Sequence, residues 1–134
     1  MAHAWIDWGG VQPEEMSMAM EIGHVHIKTA DPKATTQFYV DNFGATLKRE
    51  VPGRGFQLDL HGLQLNVTII IPTQNHEQRH GIEHIALQTD DYAGTLAKLK
   101  KNGAKILEEI HNNGRNVCWV QCPDGAQMEV IEKV

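Results

Sequence analysis

The sequence predicts an α+β fold built from two copies of a β-α-β-β-β module. Three observations predict it. Residues 23–31 and 81–91 share one plan, a short strand that places a histidine near its start and ends in an aspartate that opens a helix. The two histidines, His24 and His84, are 60 positions apart, a period that indicates a duplicated supersecondary unit. Both predicted helices end in Gly-Ala and are followed by runs typical of strands.

Length and composition restrict the classes of function. A chain of 134 residues with 41% hydrophobic content forms one domain with a core, so the two modules are halves of that domain. A net charge of -5 provides no positive field for nucleic acid or anionic membrane. The chain has no apolar run of the ~20 residues that a membrane helix needs, and no secretory leader pattern. We therefore expect a cytoplasmic protein whose partners are small molecules or proteins, with Cys118 and Cys122 as free thiols.

The N-terminal region has neither helical nor strand periodicity. It is predicted to be an arm, either anchored by Trp5 and Trp8 on the domain or on a second subunit, or a free tail. The predicted organisation is an arm at 1–21 and a single domain at 22–134, made of modules 22–72 and 81–132 and the linker 73–80.

The first module begins with a strand in which apolar and polar residues alternate from Ile22. Asp31 and Pro32 then form a helix start, the aspartate as N-cap and the proline at the first helical position. Gly44 ends the helix, whose predicted apolar stripes pair Ala34 with Phe38 and Tyr39 with Phe43. Three strands follow, separated by turns at Pro52-Gly53 and His61-Gly62; they are 45–51, 55–60 and 63–71.

The second module repeats this order. The strand around His84 is followed by a helix that Asp91 caps, with an apolar stripe of Tyr92, Leu96 and Leu99. Three strands complete the module, the last two joined by a tight turn at Pro123-Asp124-Gly125; they are 105–110, 116–121 and 126–131.

The first and last strands of each module have one apolar face, suited to packing under the helix, and one polar face. If two twisted sheets turn their polar faces towards each other, they form a concave site. His24 and His84 occupy equivalent positions on these faces, and Glu129 lies on the last strand of the second module. Imidazole and carboxylate ligands with open positions are typical of catalytic divalent metal sites. The residues therefore predict a metal held by His24, His84 and Glu129.

These motifs resemble the vicinal oxygen chelate superfamily. The resemblance rests on the paired module plan, on His24 to Lys28, on Glu83 to Leu87 and above all on Pro123 to Val130, and it covers residues 22 to 132. The superfamily includes glyoxalase I, extradiol dioxygenases, fosfomycin-resistance enzymes, methylmalonyl-CoA epimerase and bleomycin-binding proteins. It implies a cup-shaped eight-stranded mixed sheet with helices outside, a homodimer, and a divalent ion (iron, manganese, nickel or zinc) that chelates a small-molecule substrate through adjacent oxygens.

The fourth ligand expected from this resemblance is replaced. The glutamate that glyoxalase I carries in the last strand of its first half falls on Asn66, which has no pKa suited to proton transfer. Gln64 on the same face could be a neutral oxygen ligand, as a glutamine is in the epimerase.

The resemblance to dioxygenases adds candidates in the second module. His111 has the spacing of an acid/base residue, and Trp119 stands where those enzymes have a tyrosine. Arg115, near the same rim, could pair with a substrate carboxylate or phosphonate. Asn66, Trp119 and His26 are further candidates for substrate contact.

Several functions are consistent with these residues. Because Asn66 removes the fourth acid, dioxygenase-type chemistry is narrowly favoured. The alternatives are a glyoxalase-like or epimerase-like lyase or isomerase, a fosfomycin-type thiol transferase, and a metal-free binding protein of the bleomycin-resistance kind.

Overall fold

The computed structural model describes residues 20–123 and 125–134. Most of the predicted arm, including Trp5 and Trp8, lies outside the described residues, as does Asp124 of the predicted turn. The ten elements are β1 (Met20–Lys28), α1 (Pro32–Phe43), β2 (Thr46–Val51), β3 (Gly55–Leu60), β4 (Leu63–Thr68), β5 (Gly81–Thr89), α2 (Tyr92–Lys101), β6 (Lys105–Asn112), β7 (Arg115–Gln121) and β8 (Gln127–Glu132).

The strands form one open mixed sheet in the order β2-β3-β4-β1-β5-β8-β7-β6. Within each module the first and last strands pair in parallel, β1 with β4 and β5 with β8. The two modules join through the antiparallel pair β1 and β5. This arrangement confirms the predicted α+β fold of two repeated modules, and it brings the histidine strands side by side at the centre of the sheet.

Helix α1 begins and ends where the sequence predicts. A side-chain oxygen of Asp31 accepts a hydrogen bond of 3.1 Å from the backbone N–H of Ala34, and Gly44 ends the helix in the left-handed conformation (φ 73°) that glycine adopts without strain. The predicted apolar stripes are partly wrong. Tyr39 and Val40 pack on the first module's core, whereas Phe38 and Phe43 are 55% and 52% exposed.

Helix α2 follows the prediction more closely. Asp91 accepts a hydrogen bond of 3.0 Å from the N–H of Gly94, and the predicted stripe of Tyr92, Leu96 and Leu99 packs against a core that contains Cys118. No helix among the described residues is long and apolar enough to span a membrane.

Strand boundaries differ from the predictions by one to three residues, as is common at element ends. Strand β1 begins at Met20, within the predicted arm, because it pairs with β5 along its whole length. Strand β4 ends at Thr68 rather than at residue 71, because the chain turns there into the linker.

Both helices pack on one face of the sheet, and we call the opposite face the inner face. Strand register places one row of neighbouring inner-face residues across the first module: Arg49, Gln57, Asn66 and His26. His26 pairs with His84 across the module boundary. A second row runs across the second module, starting two residues after His84 on β5. Its members are Ala86, Glu129, Trp119 and Glu108.

Candidate metal centre

Three histidines meet where the two modules join. His24, His26 and His84 each offer a ring nitrogen, and these atoms lie within 4.8 Å of one another. The carboxylate of Glu129 lies beside them, with Oε1 3.2 Å from Nε2 of His84 and 3.7 Å from Nε2 of His24. The structure therefore brings together, from one chain, the three residues that the sequence predicts as metal ligands. It adds His26 to the cluster, where a substrate contact was expected.

Thr68 fixes the protonation of His26. The Thr68 hydroxyl donates its proton to the carbonyl of Ile70 (3.0 Å), so it accepts a hydrogen bond from Nε2–H of His26 (2.7 Å). Nδ1 of His26 then carries the lone pair. Burial, aided by the charges of His84, His24 and Arg54, lowers the pKa of His26 to about 3. His26 is thus a neutral imidazole with one nitrogen free to bind a cation.

Glu83 performs the corresponding role for His84. Oε1 of Glu83 lies 3.0 Å from Nδ1 of His84, and Oε2 accepts a hydrogen bond of 2.8 Å from the backbone N–H of Arg79. Because a carboxylate only accepts, Nδ1 of His84 is the protonated nitrogen, and its Nε2 is directed towards Glu129. A carboxylate that orients a histidine in this way is typical of metal sites.

A β-bulge explains why Glu83 and His84, neighbours in sequence, are both buried. His26 pairs with His84, but Ile27 pairs with Ile82, so Glu83 is an extra residue without a partner in β1. Such a bulge breaks the alternation of faces and re-aims a side chain. The strict alternation assumed from the sequence gave Glu83 no role, and the only sequence signal for it is an acidic residue directly before a predicted ligand.

The pKa values of His24 and His84 are shifted in opposite directions. Burial lowers the pKa of His24 and outweighs the attraction of Glu129. For His84, burial acts in the same direction, but Glu129 and Glu83 outweigh it and raise the pKa. Burial acts to raise the pKa of Glu83, but the hydrogen bonds from His84 and from Arg79 lower it. Two carboxylates thus surround one buried histidine.

The donor set fits a divalent cation. Nε2 of His84 is buried and lies 3.2 Å from the carboxylate of Glu129, but this contact lacks hydrogen-bond geometry. No other group in residues 20–123 and 125–134 forms a hydrogen bond with this nitrogen. An unpartnered buried nitrogen facing a carboxylate is costly unless a proton or cation lies between them. Imidazole and carboxylate donors suit iron, manganese, nickel and zinc.

Trp119 closes one side of the cluster. It is completely buried, and its ring meets His84 edge to face at a centroid distance of 4.6 Å. On its other side it contacts His76 of the linker at 5.4 Å. Trp119, predicted as a substrate contact, is thus a buried residue packed between His84 and His76.

The linker is fixed on the inner face of the second module, which the sequence did not predict. Nδ1 of His76 pairs with the carboxylate of Glu108, and Nε2 lies 2.7 Å from Oε1 of Gln127. Glu108 also accepts hydrogen bonds from the backbone N–H groups of Asn75 (2.8 Å) and His76 (3.1 Å). His76 was expected to be an ordinary linker histidine, and instead it joins the linker to strands β6 and β8.

Asn66 lies where the repeat places the missing fourth ligand. It pairs with His26, two residues after His24, as Glu129 pairs with Ala86, two residues after His84. Gln64 lies two residues before Asn66 on β4, and both ends of its amide are occupied. Its Nε2 donates to Oδ1 of Asn66 (3.0 Å), and its Oε1 accepts from Nζ of Lys48 (3.0 Å).

The structure does not bring His111 to the cluster. His111 pairs with Asn116, and the next residue, Val117, packs on the inner face with Trp119. Alternation along β7 therefore puts His111 on the face opposite Glu129. Arg115 shares the face of Trp119, but it lies four residues along β7, about 13 Å away at ~3.3 Å per residue.

Comparison with known proteins identifies relatives of this fold. The family model described as Glyoxalase/Bleomycin resistance protein/Dioxygenase superfamily matches residues 21–130. A probable lactoylglutathione lyase of Synechocystis is 28% identical over 121 residues, covering 81% of this chain and 92% of that protein. The lactoylglutathione lyase of Escherichia coli O157:H7 is 25% identical over 126 residues, covering 85% and 93%.

Solved structures show the same fold. A hypothetical protein from Bacillus halodurans superposes with a TM-score of 0.64 at 19% identity, covering 86% of this chain and 95% of that one. Methylmalonyl-CoA epimerase from Mycobacterium tuberculosis superposes with a TM-score of 0.59 at 20% identity, covering 84% and 87%.

Proposed function

The chain belongs to the Glyoxalase/Bleomycin resistance protein/Dioxygenase superfamily, and from that premise we propose that it is a metal-dependent enzyme acting on a substrate with adjacent oxygens. His24, His84 and Glu129 hold the divalent ion, and His26 supplies a fourth ligand through Nδ1. The observation that carries the proposal is Nε2 of His84, a buried nitrogen that faces Glu129 without an aligned hydrogen bond. The assembly we expect is a homodimer.

The reaction we propose is a proton transfer of the lyase or isomerase type. When bound, the ion polarises the chelated oxygens and stabilises negative charge on them. Glu129 faces Nε2 of both His24 and His84, whereas the oxygens of Glu83 are occupied by Nδ1–H of His84 and the N–H of Arg79, so Glu129 removes the proton from the carbon next to those oxygens and returns it to the neighbouring carbon. Trp119 excludes water from this side of the site.

The relatives support this choice over the dioxygenase reaction that the sequence narrowly favoured. Two of the named relatives are lactoylglutathione lyases or probable ones, and none of the matched proteins reported above is named as a dioxygenase. His111 lies on the other face of the sheet, and Trp119 replaces the tyrosine, so the acid/base group and hydrogen-bond donor of that reaction are not at the cluster. If His26 does not coordinate the ion, His24, His84 and Glu129 form a set of two histidines and one carboxylate, which keeps dioxygenase chemistry as the second candidate.

Metal content is the first test. Protein purified without a metal-affinity tag should contain about one equivalent of iron, manganese, nickel or zinc per chain. His84→Ala should lose it, and His80→Ala, which changes an exposed linker histidine, should retain it. Wild-type protein that binds none of these ions would leave a metal-free binding protein as the better description.

Turnover is the second test. The loaded enzyme should form or consume lactoylglutathione or isomerise a related α-hydroxycarbonyl compound, and Glu129→Gln should abolish turnover. Oxygen consumption on a panel of catechols, with no lyase or isomerase activity, would favour the second candidate.

A further inference from the structure

The two halves of the inner face differ in how much of them is covered. In the second module, Ile71 of the linker packs with Trp119 and Ile131, and Gln74 is buried next to Gln127. In the first module, none of the described residues covers the equivalent surface, and its inner-face side chains on β3 and β4 remain partly exposed; they are Gln57, Asp59, Gln64 and Asn66. As far as residues 20–123 and 125–134 are concerned, a molecule bound at the cluster has more room to extend over the first module than over the second.

A cavity of about 550 Å³ lies on this open side. Its lining includes Gly23, the residue before His24, and Lys48, Asp59 and Gln64. Gln64 connects the cavity to the metal centre, because it donates a hydrogen bond to Asn66, which pairs with His26. The cavity thus lies next to the strand residue that precedes His24, and its wall is linked to His26 through Gln64 and Asn66.

Three cations lie on or near the inner face of the first module, beside one carboxylate, that of Asp59. Lys48 borders the cavity, Arg49 lies in the inner-face row, and Arg54 is close enough to His26 to lower its pKa. None of these three cations forms an ion pair with a carboxylate of residues 20–123 or 125–134. The second module instead contributes carboxylates, those of Glu83, Glu108 and Glu129. On a chain of net charge -5, this concentration of unpaired cations is a local feature of the open half.

The cations retain donors that a ligand can use. Lys48 donates one hydrogen bond, to Gln64 at 3.0 Å, and an ammonium group has two more protons. Arg49 donates Nε–H to Gln57 at 2.9 Å, which leaves its four terminal N–H groups. Guanidinium and ammonium groups arranged in this way bind carboxylate or phosphate oxygens.

We propose that the open half is a subsite for an anionic tail, so that the substrate is an acid whose chelating oxygens lie at the metal and whose carboxylate or phosphate lies at Lys48 and Arg49. This inference rests on the proposed function, because the cluster must hold an ion for the chelating end to bind. Strand spacing sets the length of the tail. Lys48 contacts Gln64 on β4, the strand next to β1. A tail of about three or four carbons that starts at the cluster therefore reaches the ammonium group of Lys48.

The test compares two probes of equal length on zinc-loaded protein. 2-Oxoadipate has a chelating 2-oxo acid and a distal carboxylate, and 2-oxohexanoate has the same chelating end and a methyl group instead. We expect calorimetry to show that wild-type protein binds 2-oxoadipate about tenfold more tightly. Lys48→Met should reduce that preference about fivefold, and Lys48→Met combined with Arg49→Met should bring it close to one, since a partly exposed ion pair contributes up to about fivefold. Both side chains are exposed, so these variants should fold.

Lys105→Met is the matched control, because Lys105 is an exposed strand lysine on the second module. It should keep the wild-type preference. A phosphonate-tailed 2-oxo acid measured in parallel distinguishes a phosphate subsite from a carboxylate subsite. Equal binding of the two carboxylic probes by wild-type protein, or a preference that survives in the double variant, would overturn the subsite and leave the metal centre intact. Failure of wild-type protein to bind zinc would overturn the proposed function and the subsite with it.

Discussion

The Glu83→Gln substitution tests the metal centre most directly, because it replaces one carboxylate oxygen of a side chain that reaches the cluster only through His84. Both oxygens of Glu83 accept hydrogen bonds from donors, Nδ1–H of His84 at 3.0 Å and the backbone N–H of Arg79 at 2.8 Å. An amide offers one acceptor and one donor group. Whichever way the glutamine is oriented, its NH2 group faces another donor, unless His84 changes tautomer.

The cost follows from these two orientations. If the amide nitrogen faces Arg79, a partly buried N–H loses its acceptor, which destabilises the fold by about 1 kcal/mol. If it faces His84, the ring must place its proton on Nε2, the nitrogen directed towards Glu129. Loss of an orienting group of this kind typically lowers metal affinity by about 10- to 100-fold, or roughly 1.4–2.7 kcal/mol.

Competition with a chromophoric chelator measures this loss as a change in the zinc dissociation constant, and nitrogen NMR of the zinc-loaded protein reports the tautomer of His84. Glu77→Gln is the control, because Glu77 is an exposed linker carboxylate that pairs with Arg79 at 3.5 Å. It should leave zinc affinity unchanged. A Glu83→Gln protein with wild-type zinc affinity and an unchanged tautomer would refute the assigned role of Glu83.

Three further predictions concern other parts of the fold. Glu108→Gln should lower the free energy of unfolding by about 1–2 kcal/mol, because the carboxylate accepts the hydrogen bonds that fix the linker. Burial acts to raise the pKa of Glu108, but hydrogen bonds led by that from His76 lower it below the ordinary 4.5. The difference in the free energy of unfolding between wild type and variant, measured by denaturant titration, should therefore have its full value above pH 4.5 and shrink as the pH falls through the folded-state pKa. A difference that does not change with pH would contradict this assignment. In native protein a thiol reagent should modify Cys122 before Cys118, whose pKa burial raises, and mass spectrometry after partial labelling checks the order. Asn66→Asp should tighten zinc binding several-fold at neutral pH by restoring a carboxylate beside the cluster, and chelator competition that shows no change would contradict that placement.

The sequence predicts the parts of the fold that depend on local signals and on the repeat. Asp31 and Asp91 cap helices because a short carboxylate satisfies free N–H groups at a helix start, and this depends on adjacent residues only. The equivalence of His24 and His84 follows from the 60-residue period, which needs no knowledge of packing. Their meeting at the module boundary follows because β1 and β5 are equivalent first strands that pair with each other.

The parts that sequence reasoning missed depend on contacts between distant residues or on irregular strands. His76 carries no local sign of its role, because its partner Glu108 lies 32 residues away on an edge strand. Phe38 was expected to face the core, but Tyr39 and Val40 pack on it and Phe38 is exposed. His111 was placed near the metal by its spacing from Glu129, whereas the alternation of β6 directs it to the helix-bearing face.

The two modules place different residues at equivalent positions of the cluster, and these differences compensate for each other. Each module offers two neighbouring positions there, one on its first strand and one on its last. In the second module these positions hold Ala86 and Glu129, so the ligand comes from the last strand. In the first module they hold His26 and Asn66, so the ligand comes from the first strand and the last strand presents an amide. In the proposed site, the imidazole of His26 at the adjacent position takes the place of the acidic ligand that Asn66 lacks. In the proposed site, three neutral imidazoles and one carboxylate leave a divalent ion with one net positive charge, which the carboxylate of Glu83 beside His84 offsets, so the attraction for an anionic tail comes from the unpaired cations on the open half of the inner face.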